Sequence, residues 1–80
     1  MQKLSLVLRG AGTATVRYGN LYSMEGGVVK LYLNGQERGK ARYREMKTSF
    51  AFLDGDVLEI TEEHIGVIAI YSIVFDCIRS

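Results

Sequence analysis

The stretch from Gly66 to Ile78, GVIAIYSIVFDCI, constrains this chain more than any other. Val67, Ala69, Tyr71, Ile73, Phe75 and Cys77 fall on one parity, and Ile68, Ile70, Val74 and Ile78 on the other. Only Ser72 and Asp76 interrupt them. Many β-branched residues and no proline predict a strand rather than a helix. Apolar side chains on both parities predict a strand covered on both faces, or one that bends near Tyr71–Ser72 and changes sheets. Either way the run is expected at the centre of the fold, with Cys77 buried and unpaired.

The rest of the chain reads as short strands separated by turns. Lys3–Arg9 alternates, with Leu4, Leu6 and Leu8 inward. Thr13–Tyr18 alternates again, with Ala14, Val16 and Tyr18 inward. Gly19–Gly27 is the longest irregular stretch, and its Asn20, Tyr22, Ser23 and Glu25 are the kind of polar loop residues that bind ligands. Val28–Leu33 leads into Asn34-Gly35, a hairpin signal. A two-residue turn there would put Arg38 and Lys40 on the apolar face. A three-residue loop with Gly35 in a bulge would set Lys30 opposite Arg38 and send Lys40 outward. Burying two cations costs several kcal/mol each, about enough to select the three-residue loop. Met46–Leu53 carries Phe50 and Phe52 inward, Asp54-Gly55 turns the chain, and Asp56–Thr61 carries Leu58 and Ile60 inward. Glu62-Glu63-His64 reads as a charged turn. The expectation is an all-β, small antiparallel β-sandwich, jelly-roll-like, with about seven strands, in one domain over residues 1–80.

No apolar run reaches the ~20 residues of a membrane helix. A single cysteine cannot close an internal disulfide, so the chain reads as cytoplasmic, or as secreted if cut from a longer one. Charge is divided along the chain. Residues 1–47 hold nine Lys/Arg and three Glu, a balance of +6, whereas residues 48–80 hold one Arg and six acids, a balance of −5. Two surfaces that attract each other between copies would follow from this, making a self-assembling homo-oligomer with no small ligand the alternative reading.

Catalytic chemistry is poorly represented. There is one His and one Cys, with no paired-carboxylate or phosphate-cradling motif, so no catalytic residue is assigned. Asp54-Gly55-Asp56 has oxygens that suit calcium, but no EF-hand spacing follows, and the segment reads as a turn with no cofactor or metal. The sharpest pattern is Arg38, Lys40, Arg42 and Arg44 at period two, which on a strand projects four cations from one face. Its bland reading is an edge strand that uses charge to refuse pairing. Its functional reading, with Lys30 opposite and Tyr32 and Tyr43 nearby, is a face for an anionic glycan. Nucleic acid is disfavoured by the acidic second half.

Three segments, Tyr18-Gly19-Asn20, then Val29–Gly35, then Asp54–Ile60 leading into Val67–Cys77, resemble jelly-roll modules of the carbohydrate-binding and laminin-G-like kind. They are closer still to an extracellular cysteine-containing repeat. In that repeat a cysteine follows the glycine–asparagine pair, positioned to bridge the terminal one. Here Leu21 stands at the first position and Cys77 at the second, so no disulfide is implied. The resemblance implies a binding module and transfers no particular ligand residue. The sequence thus points to a non-catalytic, lectin-like carbohydrate-binding module. Its candidate ligand residues are Asn20, Tyr22, Glu25, Lys30, Tyr32, Arg38, Lys40 and Arg42.

Overall fold

A computed structural model describes residues 2–21, 27–42, 44–63 and 66–77. Among these, the strands are β1 (Gln2–Val7), β2 (Gly12–Asn20), β3 (Val29–Leu33), β4 (Gln36–Ala41), β5 (Met46–Phe52), β6 (Val57–Glu62) and β7 (Ile68–Cys77). They form a four-stranded sheet in the order β1-β6-β3-β4 and a three-stranded sheet in the order β5-β2-β7. Every pairing is antiparallel. Consecutive strands cross between the sheets at each connection except β3–β4, giving the jelly-roll-like sandwich the sequence predicts.

The core follows the alternation. Ala14, Val16 and Tyr18 from β2 face Val29, Leu31 and Leu33 from β3, Phe50 and Phe52 from β5, and Leu58 and Ile60 from β6. All of these are buried. Together their desolvation is the main drive to fold.

Three expectations are corrected. The Gly66–Ile78 run is not central: among the described residues β7 is an edge strand paired only with β2, which takes the middle of its sheet. The irregularity does fall where the sequence places it, since Arg17 pairs Ser72 and Tyr18 pairs Ile70, leaving Tyr71 as the extra residue. However, the strand stays in one sheet. Its two apolar parities reflect exposure rather than cover: Ile70, Tyr71, Val74 and Phe75 all remain partly open to water, and Cys77 is exposed rather than buried.

The second correction is the hairpin. Leu33 pairs Gln36 across a two-residue turn, with Asn34 at φ 53° and Gly35 at φ 80°. Both central residues at positive φ make the turn that suits strand twist. The cations are kept out of the core by a bulge instead. Tyr32 pairs Glu37 and Leu31 pairs Gly39, so Arg38 is the extra residue, and Lys40 then pairs Lys30 while Ala41 turns inward against Val29. Gly39 is dictated by what lies beneath it. A Cβ there would come 2.5 Å from the Tyr18 hydroxyl and 2.6 Å from Thr48 Oγ1.

Third, Glu62 closes β6 and is fully buried, rather than belonging to a charged turn. His64 lies outside the described residues.

Candidate functional site

The outer face of the four-stranded sheet is organised in rows that run across the strands. One row reads Lys3, Thr61, Lys30, Lys40, since Lys3 and Lys30 both pair Thr61 and Lys30 pairs Lys40. Three inter-strand steps of about 4.8 Å make this row roughly 14 Å long. The neighbouring row reads Ser5, Glu59, Tyr32, Glu37. Lys3 is paired with Glu59 at 2.9 Å, whereas Lys30 and Lys40 have no ion pair among the described residues. Like charges directly opposite on adjacent strands repel. Tyr32 therefore sits between two carboxylates and next to the cationic row, not within it.

Of the period-two ladder, only Lys40 keeps a regular outward place on β4. Arg38 leaves the register at the bulge, and β4 ends at Ala41, so Arg42 lies beyond the strand, although exposed. Arg44 belongs to the other side of the molecule. Its carbonyl accepts the Tyr71 hydroxyl at 2.6 Å, and its backbone lies over Gly19, leaving no room there for a side chain. Next to it Glu45 binds Arg17 at 2.8 Å. The ladder breaks because the chain must cross from one sheet to the other between β4 and β5. Tyr43 lies outside the described residues.

Arg38 lines an open depression of about 610 Å³ where the β3–β4 turn meets the β5–β6 turn. Asn34, Gln36 and Asp56 supply polar groups around it, and Leu53 an exposed apolar wall. The polar side of the depression is tied together by hydrogen bonds. Asn34 donates from Nδ2 to Asp56 Oδ1 at 3.0 Å, and its Oδ1 accepts the Val57 amide at 2.9 Å. Asp56 Oδ2 accepts the Leu53 amide at 2.9 Å. The Asn34 bond is the chief reason the Asp56 carboxyl lies below its ordinary pKa, followed by the Leu53 amide, with a smaller pull from Arg38. Asp54 in turn accepts the Gly10 amide at 2.8 Å. Both acids of the Asp54-Gly55-Asp56 turn therefore tie loops together. No group of three or more potential metal ligands occurs among the described residues.

The loop prediction fares differently. Asn20 ends β2 and is fully buried, its Oδ1 accepting the Val67 amide at 3.1 Å. It fastens the start of β7. Tyr22 and Glu25 lie outside the described residues. Of the candidate residues, Lys30 and Lys40 are brought together directly, with Tyr32 in the next row and Arg38 at the edge. Lys3 was missed because its place in the row comes from the β1–β6–β3 pairing, which no local pattern announces. The two charge halves are also interleaved, since acidic β6 lies between β1 and β3. No family model, curated protein or solved structure matches this chain.

Proposed function

We propose that this chain is a non-catalytic, lectin-like module that binds an anionic glycan on the outer face of its four-stranded sheet. The observation that carries this reading is the direct opposition of Lys30 and Lys40 without an acidic partner among the described residues. Cations on adjacent strands lie well within the ~10 Å Debye length of 0.1 M salt, so they act as one field. A sulfate or carboxylate seated between them relieves the repulsion. Lys3 extends the row, so the polymer would run across the strands rather than along β4. Arg38 would take a further acidic group in the depression, where a guanidinium can bind a carboxylate or sulfate with two parallel hydrogen bonds. The depression's size falls in the ~300–1,000 Å³ range of small-ligand sites. The resemblance to carbohydrate-binding jelly rolls supports the same class of ligand. The test is retention on immobilised heparin, with elution followed against sodium chloride. Retention that falls steeply with salt supports the reading, and passage through the column at low salt overturns it.

A further inference from the structure

The sandwich has four strands in one sheet and three in the other, and the mismatch falls on one side. β4 meets β5 and β6 meets β7, so β1 overhangs beyond β7. Leu4 and Leu6 pair with the buried Ile60 and Leu58 and thus face inward, yet they are 45% and 41% exposed, since no strand among the described residues lies beneath them. On the inward face of β7 beside the same notch are Ile70 and Phe75, 36% and 45% exposed, the Phe75 ring standing edge-on to Phe52 at 5.7 Å. The two strands run in the same direction. At one end the Ile68 amide donates to Gln2 Oε1 at 3.0 Å, and at the other a Cβ on Gly10 would lie 4.0 Å from Cys77 Sγ.

We infer that a second copy of this chain fills the notch, related by a two-fold axis parallel to the strands. Rotation about that axis keeps strand direction and exchanges the sheets. It places β1 of the partner beside β7 as a parallel neighbour, beneath the overhanging β1, and the reciprocal contact forms at the same time. Leu4 and Leu6 then pack against their own counterparts, and each three-stranded sheet continues into the partner's four-stranded one. Such an isologous contact closes on itself and stops at two copies.

The edges distinguish this side from the other. β4 is guarded by its bulge, Arg38 and Lys40, and β5 by Lys47, which are devices that refuse pairing. β7 runs ten residues with Asp76 as its one charge, and its own bulge falls on the apolar Tyr71 rather than on a cation, so it is less guarded than β4. Four exposed apolar side chains, Leu4, Leu6, Ile70 and Phe75, lie on the inward face at the notch, exposed by 36–45%. At roughly 150–200 Å² for each whole side chain, they offer about 300 Å² per copy. The rest of the roughly 1,000 Å² that a specific interface needs would come from the backbone of the paired edges and the flanking Val7 and Val74. The attraction is apolar, so it differs from docking of a basic half on an acidic half.

Sedimentation velocity across the micromolar range, at low and high salt, tests this, together with amide hydrogen exchange. The expected result is a dimer that persists in high salt and dissociates in the double variant Leu4→Lys, Leu6→Lys. A monomer throughout, a dimer that salt dissolves, open-ended polymers, or a double variant that stays dimeric would each overturn it. If the double variant does not fold, exchange on the wild type decides. Amides of β1 and β7 that gain exchange on dilution support the interface, and amides indifferent to dilution refute it.

Discussion

Gly39 on β4 lies directly over the hydroxyl of Tyr18 on β2, so that the bulge, the hairpin register and the floor of the core meet at one point. The hydroxyl is 3.1 Å from Thr48 Oγ1, and the bulge delivers a residue without a side chain above the pair. Burial raises the Tyr18 phenol above its ordinary pKa, with the Glu37 charge adding to the rise and the Thr48 bond opposing it. Gly39→Ala should cost ~1–3 kcal/mol, the range for overpacking a well-filled core. Tyr18→Phe removes one of the two obstructing oxygens, so in that background the cost of Gly39→Ala should shrink. Urea melts of the four proteins in the cycle measure this coupling. Additive costs would show that the contact is not what selects glycine.

The Asn34–Asp56 pair gives the fold a pH dependence with a definite sign. Asp56 has a folded pKa below its unfolded value, so its contribution is present above the unfolded pKa, near 3.8, and is lost as pH falls through the folded one. Thermal melts between pH 5 and pH 2 should show a decline that is shallower in Asp56→Asn. Asn34→Ala should destabilise by about 1–2 kcal/mol through its lost side-chain bonds and its left-handed backbone. Asn34→Gly keeps the turn and loses only the bonds. Equal costs for the two would remove the backbone from the explanation.

Cys77 ends an edge strand and is exposed. At dilutions where the chain is monomeric, a thiol reagent should label the folded protein at nearly the rate of the denatured chain. Cys77→Ser should change stability by no more than ~0.5 kcal/mol, as for other surface positions. Protection that disappears only on unfolding would contradict this placement.

What could be read from the residues alone was set by local alternation. The inward faces of Ala14–Tyr18, Phe50–Phe52 and Leu58–Ile60 follow from period two and are found buried. The energetic argument at the hairpin, that Arg38 and Lys40 cannot face the core, holds, but a turn and a bulge satisfy it as well as a longer loop does. Local sequence does not choose between them, because the choice depends on Tyr18 and Thr48, far away in the chain. The same holds for β7. An apolar run on both parities describes a doubly covered strand and an open edge equally well, and only the count of strands on each sheet separates the two. The cationic row needed the β1–β6–β3–β4 order, so the sequence showed only Lys40 of it in a ladder along one strand, with Lys30 set opposite Arg38 and Lys3 apart.

The direct test of the cross-strand row is heparin affinity, compared between two double variants by calorimetry at several salt concentrations. The account predicts that Lys30→Ala with Lys40→Ala weakens binding at least tenfold and flattens its salt dependence. Both variants should keep the wild-type melting temperature within a few degrees, since exposed positions usually cost within ~0.5 kcal/mol. Arg42→Ala with Arg44→Ala should leave affinity within about twofold, because Arg42 lies beyond β4 and Arg44 lies over the other sheet. Loss of binding in the arginine pair and its survival in the lysine pair would contradict the account.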